Sequence, residues 1–178
     1  MADVLLVYGT SEGQTATIAE RMGAVIEASG HEVALVNARH LPQGFDLAAY
    51  DAAIVGASIH MSKHQKAIRR FVQDYVEGLN AMPTAFVSVS MSAAGDEADR
   101  EAAEGLIHEF LDRTGFEPDR TLSVAGAVKY TEYGLLTKFI MKRIARKQGG
   151  DTDTSRDWEY TDWNSVEAFA VEFAASIE

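Results

Sequence analysis

Short runs of apolar, strand-forming residues alternate along the chain with longer segments in which apolar side chains recur every three or four positions. The runs predict strands buried on both faces, and the spaced segments predict helices. The predicted strands span residues 4–8, 31–37, 52–55, 85–89 and 121–125, and the predicted helices span 14–28, 64–79, 97–114 and 163–177. This alternation indicates an α/β fold with a doubly wound, five-stranded parallel sheet of order 2-1-3-4-5. Ligands bind such a sheet at the carboxyl ends of its first and third strands.

One segment does not fit this minimal plan. Residues 126–162 separate the fifth strand from the last helix by far more than an ordinary loop, and residues 134–147 within them have helical spacing. The chain contains no linker rich in proline, glycine and serine, and no internal repeat. We therefore expect a single domain over residues 1–178, with a partly helical insertion at about 126–162 before the last helix.

Composition excludes several classes of protein. The 178 residues include no cysteine, which excludes disulfide frameworks, thiol nucleophiles and cysteine-ligated metal sites. The formal net charge of −11 argues against general affinity for nucleic acid. The first residues lack the basic and apolar regions of a secretory signal, and no apolar run approaches the ~20 residues of a membrane span. These observations favour a cytoplasmic protein.

The negative charge is unevenly distributed. From Lys129 to Lys147 there are six basic residues against the single acid Glu132, so this stretch carries +5 and the rest of the chain −16. The apolar side chains of residues 134–147 cover about half of a helical wheel. An apolar stripe beside clustered cations can rest on an anionic membrane surface. The alternative is a structural helix with a solvated basic face.

The loop after the first predicted strand reads G-T-S-E-G-Q-T at residues 9–15 and leads into a helix. Backbone N–H groups at a helix N-terminus bind anions, and three hydroxyls in this loop add donors. The loop lacks the lysine of a nucleoside triphosphate P-loop and the glycine pattern of a Rossmann dinucleotide site. What remains is a monophosphate held by neutral donors, or a serine or threonine helix cap without a ligand.

The T-S-x-G-x-T arrangement directly after the first strand resembles the phosphate loop with which flavodoxins bind FMN. The resemblance implies phosphate contacts from Thr10, Ser11, Glu12, Gly13, Gln14 and Thr15. It also implies that the loops after the third and fourth strands hold the isoalloxazine ring, through Ser58, Ile59 and His60 in one loop and Ser88, Val89, Ser90, Met91, Ser92 and Ala93 in the other. His60 is either a residue that flanks the ring or an exposed loop residue.

The insertion carries a more specific resemblance. It contains G-G-D-T-D-T at residues 149–154 and Y-T-D-W at 160–163, and with these motifs essentially the whole chain resembles the quinone-dependent protoporphyrinogen IX dehydrogenases. Those proteins have a flavodoxin fold with an insertion late in the chain. The resemblance implies FMN-dependent oxidation of protoporphyrinogen IX to protoporphyrin IX in haem biosynthesis, with the electrons passed in pairs to a membrane quinone. N5 of the flavin would carry the chemistry, so no catalytic side chain and no metal ligand is predicted.

The implied substrate is a large apolar macrocycle with two anionic propionates, which suits an apolar and basic insertion. We therefore expect residues 134–147 to cover the flavin, with substrate or membrane contacts from Tyr130, Lys138, Phe139, Lys142 and Arg143. Better-known members of the family are basic and membrane-associated, whereas this chain is acidic. A peripheral position on the inner face of the cell membrane is therefore an open alternative to a purely cytoplasmic one. A flavodoxin-like electron carrier and an FMN-dependent quinone reductase are the alternative functions.

Overall fold

The structure, a computed structural model, describes residues 1–128, 146 and 158–177. Its strands are β1 (Asp3–Gly9), β2 (Glu32–Asn37), β3 (Ala52–His60), β4 (Lys63–His64), β5 (Thr84–Ser90), β6 (Arg120–Ala125), β7 (Ala127–Val128) and β8 (Trp158–Glu159). Its helices are α1 (Gln14–Ala28), α2 (Lys66–Leu79), α3 (Glu97–Thr114) and α4 (Trp163–Ser176), with short 3-10 turns at Leu47–Ala49 and Ser92–Ala94. The helix predicted over 134–147 lies outside the described residues, apart from residue 146.

The main sheet has the predicted doubly wound topology. Its parallel strands lie in the order β2-β1-β3-β5-β6, which confirms the expected order 2-1-3-4-5. The short strand β4 is added to the end of β3 in antiparallel pairing. The connections that follow β1 and β3 run to opposite faces of the sheet, α1 on one face and α2 on the other. A crevice therefore forms between them at the carboxyl ends of these strands.

Helices cover both faces of the sheet, since alternate residues of each strand point to opposite sides. In β1, Val4 and Leu6 pack with α1 and α4 on one face. Leu5 and Val7 pack with α2 and α3 on the other. All four side chains are almost completely buried, so β1 holds its carboxyl end in a fixed position between the two layers.

The third strand is longer than its sequence pattern indicates. The prediction ended it at residue 55 and placed Ser58, Ile59 and His60 in a loop, but β3 continues to His60. Its small residues 56–58 fit between the neighbouring strands. Residues 56 and 57 pair with both β1 and β5, and residue 58 pairs with β5. The prediction of a loop at 58–60 is therefore wrong. Ser88 and Val89 lie in β5, as the predicted strand 85–89 has them, and Ser90, predicted for the loop that follows, also belongs to β5.

A tight hairpin follows β3. Met61 and Ser62 have φ values of +50° and +58°, which is the backbone conformation of a two-residue hairpin turn. His64, predicted as the first residue of a helix, instead pairs with Ile59 across this hairpin. Helix α2 begins two residues later, at Lys66.

The described ends of the insertion lie side by side. Strands β7 and β8 pair in antiparallel fashion, with Ala127 opposite Glu159 and Val128 opposite Trp158. The chain therefore leaves the main sheet just after β6 and returns to the same place before α4. Among the helices that the structure describes, none has the length and apolar character needed to cross a membrane.

Candidate functional site

A pocket opens at the carboxyl ends of the central strands, where the sheet topology predicts a ligand site. The loop after β1 and the start of α1 contribute Thr10, Ser11, Glu12, Gln14 and Thr15 to its lining; the strand ends contribute Ser58, Ile59, His60, Val89 and Ser90; and Met91, Gly126 and Ala127 complete it. Four other residues predicted for the flavin do not line the pocket. They are Gly13, which belongs to the same loop, and Ser88, Ser92 and Ala93. The pocket thus brings together most of the residues that the sequence predicted for a flavin.

The first loop leads into α1 through a glycine and not through a capping side chain. The N-cap of α1 is Gly13, which has a left-handed φ of +88° and makes no side-chain hydrogen bond to the helix. The Gly13 N–H instead donates to Thr10 Oγ1 at 2.8 Å, which closes the loop on itself. Within the described part of the chain, no side chain caps the first N–H groups of α1, and N–H groups of this kind can bind an anion. The N-cap position itself is therefore a glycine, and the Thr10 hydroxyl bonds to the N–H of that glycine and not to one inside the helix.

Thr15 adds a buried hydroxyl that needs an acceptor. Its side chain is only 2% exposed, and within the described part of the chain its Oγ1 has no hydrogen-bond partner. A buried polar atom without a partner costs free energy, so a ligand oxygen at this place would remove that cost. The combination of free helix N–H groups and an unpartnered hydroxyl fits the phosphate of a mononucleotide.

A residue after the insertion fixes the phosphate loop, a contact that the sequence analysis missed. The Gln14 Nε2 donates to Thr161 Oγ1 at 2.9 Å, and the Thr161 hydroxyl donates to the Ala125 carbonyl at 2.8 Å. The Tyr160 N–H donates to the Gly126 carbonyl at 3.1 Å. The only sequence signal for these contacts is the Y-T-D-W motif itself, because residues 14 and 161 are far apart in the chain.

The next residue of this motif starts the last helix. Asp162 is the N-cap of α4, and its carboxylate accepts hydrogen bonds from the N–H groups of Asn164 and Ser165. The Ser165 hydroxyl also donates to it at 2.6 Å, and this bond holds the pKa of the Asp162 carboxyl below its usual value. Asp162 therefore secures the start of α4, and with it the position of Thr161 beside the phosphate loop.

His64, which does not line the pocket, connects the β3–β4 hairpin to β5. Its Nε2 lies 2.9 Å from the hydroxyl of Ser88, and its ring centroid lies 5.3 Å from that of Phe86 and 4.9 Å from that of Phe110. Both residues of the His64–Ser88 pair are buried. Burial lowers the pKa of the His64 imidazole to about 4, so the ring is neutral near pH 7. The pair joins the β3–β4 hairpin, which carries Ser58 to His60, to strand β5.

The residues predicted to contact the substrate or a membrane belong to the insertion. Tyr130, Lys138, Phe139, Lys142 and Arg143 lie outside the described residues. Gly126 and Ala127, which precede them in the chain by a few residues, line the pocket. The insertion therefore begins at the site itself.

Comparison with known proteins identifies the family. A model of the flavodoxin domain matches residues 5–155. The chain is 33% identical to a protein of Escherichia coli K12 named protoporphyrinogen IX dehydrogenase [quinone], over 96% of this chain and 93% of that protein. It is 28% identical to a protein of the same name from Leishmania major, over 96% of this chain and 74% of the relative.

Solved structures show the same fold at lower sequence similarity. Oxidised flavodoxin 1 from Bacillus cereus aligns with a TM-score of 0.60 and 16% identity, covering 99% of both chains. Flavodoxin 2 from the same organism aligns with a TM-score of 0.59 and 20% identity, covering 98% of this chain and 99% of the other. Matched along nearly its whole length, the chain belongs to the protoporphyrinogen IX dehydrogenase [quinone] family of flavodoxin-fold proteins.

Proposed function

We propose that the protein oxidises protoporphyrinogen IX to protoporphyrin IX with FMN as cofactor and a quinone as electron acceptor. The observation that carries this proposal is the extent of the match to the Escherichia coli relative. At 33% identity over 96% of the chain, the similarity includes the late insertion as well as the flavodoxin core. That insertion is where an enzyme of this family differs from a minimal electron carrier.

The flavodoxin domain supports a flavin cofactor, and the loop after β1 supports FMN in particular. The N–H groups at the start of α1 and the hydroxyl of Thr15 would hold the phosphate. The ends of β3 and β5, with Ser58 to His60 and Val89 to Met91, would hold the ring system through close backbone approach. When bound, FMN supplies two-electron chemistry at N5 of its ring, while the protein binds and orients the reactants.

The position of the insertion supports a role in binding the substrate. Its described ends, β7 and β8, pair next to the pocket, and Gly126 and Ala127 are part of the lining. The cations and apolar residues between these ends complement the propionates and the macrocycle of the substrate. The same chemistry complements a lipid surface, so we include peripheral membrane contact through residues 134–147 in the proposal.

The net charge of −11 favours a second candidate, a flavodoxin-like electron carrier that docks on its protein partners through an acidic surface. One assay separates the two functions. The FMN-loaded protein is incubated without oxygen with protoporphyrinogen IX, in the presence and absence of a menaquinone analogue. Porphyrin fluorescence that grows only with the quinone supports the dehydrogenase. A flavin that is reduced and reoxidised normally, with no porphyrin formed, supports the carrier.

Removing cations from the insertion is expected to weaken substrate or membrane binding. In the triple variant Lys138→Ala, Lys142→Ala, Arg143→Ala, we expect the KM for protoporphyrinogen IX to rise by up to about 100-fold, or the protein to be released from anionic liposomes. Each cation near an anionic surface contributes about 1 kcal/mol, so three together have a measurable effect. The measurements are steady-state kinetics with a soluble quinone and liposome sedimentation.

A charge-matched control is the variant Arg21→Ala, Arg113→Ala, Arg120→Ala. These arginines form exposed ion pairs with Glu167, Glu109 and Glu172, so their removal changes the net charge equally at little cost in stability. KM and liposome binding that stay unchanged in the insertion variant, or that change equally in the control, would contradict the proposed role of the insertion.

A further inference from the structure

Gln65 connects three segments at the edge of the phosphate loop. It lies between β4 and α2, and its Oε1 accepts a hydrogen bond from Arg39 Nη2 at 3.1 Å. Its Nε2 donates to Ser58 Oγ at 3.2 Å and also to Ser11 Oγ. One amide therefore joins the segment after β2, the end of β3 and the loop that would hold the phosphate. Sequence reasoning assigned no role to Gln65 or Arg39.

The chemistry of these groups fixes the direction of each hydrogen bond in the series that runs from Arg39 through Gln65 to Ser11. A guanidinium can only donate, so the amide oxygen of Gln65 must face Arg39 and the amide nitrogen must face the two serines. Because the Ser11 oxygen accepts from Gln65, the Ser11 hydroxyl hydrogen remains available for another acceptor. Hydrogen bonds that all run in one direction polarise each other, which makes the last donor stronger.

The position of Gln65 depends on a close approach to β1. A side chain on Gly9, the last residue of β1, would place its Cβ 2.7 Å from Cγ1 of Ile68 and 3.1 Å from Cβ of Gln65. The contact with Ile68 is shorter than real Cβ contacts and that with Gln65 is unusually tight, so glycine lets the start of α2 lie against the end of β1 without a shift. The sequence therefore brings Gln65 next to the phosphate loop through a specific packing requirement.

The described residues that line the pocket carry no positive charge at a lysine or arginine, and Glu12 is an acid among them. A flavin phosphate carries between one and two negative charges near pH 7, as phosphate esters do. Among the described residues, the guanidinium of Arg39 is connected to the loop by hydrogen bonds, through the amide of Gln65 and the hydroxyl of Ser11.

We propose that Gln65 and Arg39 form a relay that selects flavins with a phosphate over flavins without one. Gln65 positions the Ser11 hydroxyl as a donor to the phosphate. The positive charge of Arg39, bonded to the oxygen of the Gln65 amide, polarises this amide and so strengthens the donor. The proposal rests on FMN being the cofactor, as proposed above. It assigns a specificity-determining role to two positioning residues that lie outside the loop itself.

The test is a comparison of FMN with riboflavin, which has the same ring and no phosphate. The apoproteins are titrated with each flavin, and binding is measured by the change in flavin fluorescence. In Gln65→Ala we expect the Kd for FMN to rise about tenfold, the effect of one hydrogen bond to a charged group, while the Kd for riboflavin changes less than about twofold. In Arg39→Ala we expect a rise of about fivefold for FMN that shrinks in high salt, because Arg39 is exposed and its charge is screened.

Two further variants make the result specific. Arg21→Ala removes an exposed arginine on α1 that pairs with Glu167, and it should leave the affinity for both flavins unchanged. Gln65→Glu keeps the acceptor for Arg39 but removes the donor to Ser11, so its affinity for FMN should fall at least as far as that of Gln65→Ala. Thermal unfolding of each apoprotein reports whether the variant is folded.

Equal weakening of FMN and riboflavin in Gln65→Ala would overturn the proposal, because it would mean that Gln65 only supports the fold. An Arg39→Ala variant indistinguishable from Arg21→Ala would also overturn it, and so would a wild-type protein without preference for FMN. The titrations use no porphyrin substrate. If the enzyme assay fails while the FMN preference depends on Gln65, the dehydrogenase proposal is rejected and this one stands.

Discussion

Acidification from pH 7 to pH 4 is expected to destabilise the folded protein by about 3 kcal/mol through His64 alone. The imidazole lies against Phe86 and Phe110 and is only 9% exposed, and this burial lowers its pKa to about 4. The groove beside His64 is lined by three basic residues and one acid, Lys63, Arg69, Arg113 and Glu109. These neighbours do little to stabilise a positive charge on the imidazole. The folded state therefore holds His64 in its neutral form.

The sign follows from comparing the two states. Above about pH 6.5, His64 is neutral in both the folded and the unfolded chain, and its contribution to stability is complete. As the pH falls from 6.5 towards 4, the unfolded chain takes up a proton that the folded protein does not bind, so the free energy of unfolding decreases. Below about pH 4 both states are protonated at this position, and the loss through His64 stops.

Urea unfolding at a series of pH values measures this effect. The variant His64→Gln keeps an amide that can bond to Ser88 and removes the titration, so the difference in unfolding free energy between wild type and variant should change by about 3 kcal/mol between pH 7 and 4. His108→Gln is the matched control, because His108 is exposed on α3. Parallel pH curves for wild type and His64→Gln would contradict the prediction.

The same protonation is expected to affect the site. His64 joins the β3–β4 hairpin to β5 through Ser88, and the hairpin carries Ser58 to His60 at the pocket. A charged imidazole is costly at this buried place, so acid loosens the hairpin before the rest of the sheet. Release of bound flavin, followed by its fluorescence, should therefore begin at a higher pH in wild type than in His64→Gln.

The order of the sheet follows from sequence because its strands are apolar on both faces and alternate with helices of clear period. Such alternation admits few topologies, and the observed order is the expected one. The end of β3 could not be predicted in the same way. Small residues at 56–58 are typical of loops, and they continue the strand here because neighbouring strands pair with them. Local sequence does not encode that pairing.

The loop at residues 9–15 was found from sequence because all of its groups are contiguous. The residues that support it are not contiguous with it. Gln65 and Thr161 reach the loop through contacts across 54 and 147 positions, and neither belongs to a local pattern with a known partner. The buried pair of His64 and Ser88 was missed for a related reason, since a short hairpin, and not the predicted helix start, carries His64 into the core.

Replacing Thr15 by valine is expected to have opposite effects on the free protein and on flavin binding. The change removes a hydroxyl that is buried and without a partner among the described residues, while the size of the side chain stays the same. Removing an unsatisfied buried hydroxyl stabilises a protein by about 1 kcal/mol or more, so the melting temperature of the apoprotein should rise. The Kd for FMN should increase about 10- to 100-fold, because a hydrogen bond to a charged phosphate contributes about 1.5–3 kcal/mol.

The chain offers a matched control in Thr84→Val. Thr84 is 1% exposed, and its hydroxyl is also without a partner in the described part of the protein. It lies at the start of β5, at the opposite end of the strand from the pocket. Thr84→Val should therefore stabilise the apoprotein in the same way and leave the affinity for FMN unchanged.

The pair of variants separates a ligand contact from a general effect of burying a methyl group. Calorimetry of the two apoproteins and fluorescence titration of each with FMN and riboflavin give a melting temperature and two Kd values for each variant. If Thr15→Val destabilises the apoprotein and leaves FMN binding intact, the Thr15 hydroxyl has an internal role and does not bind the phosphate. If both valine variants stabilise the apoprotein and only Thr15→Val loses FMN, the unpartnered hydroxyl in the first loop is a phosphate ligand, and its cost to the free protein is offset when the flavin binds.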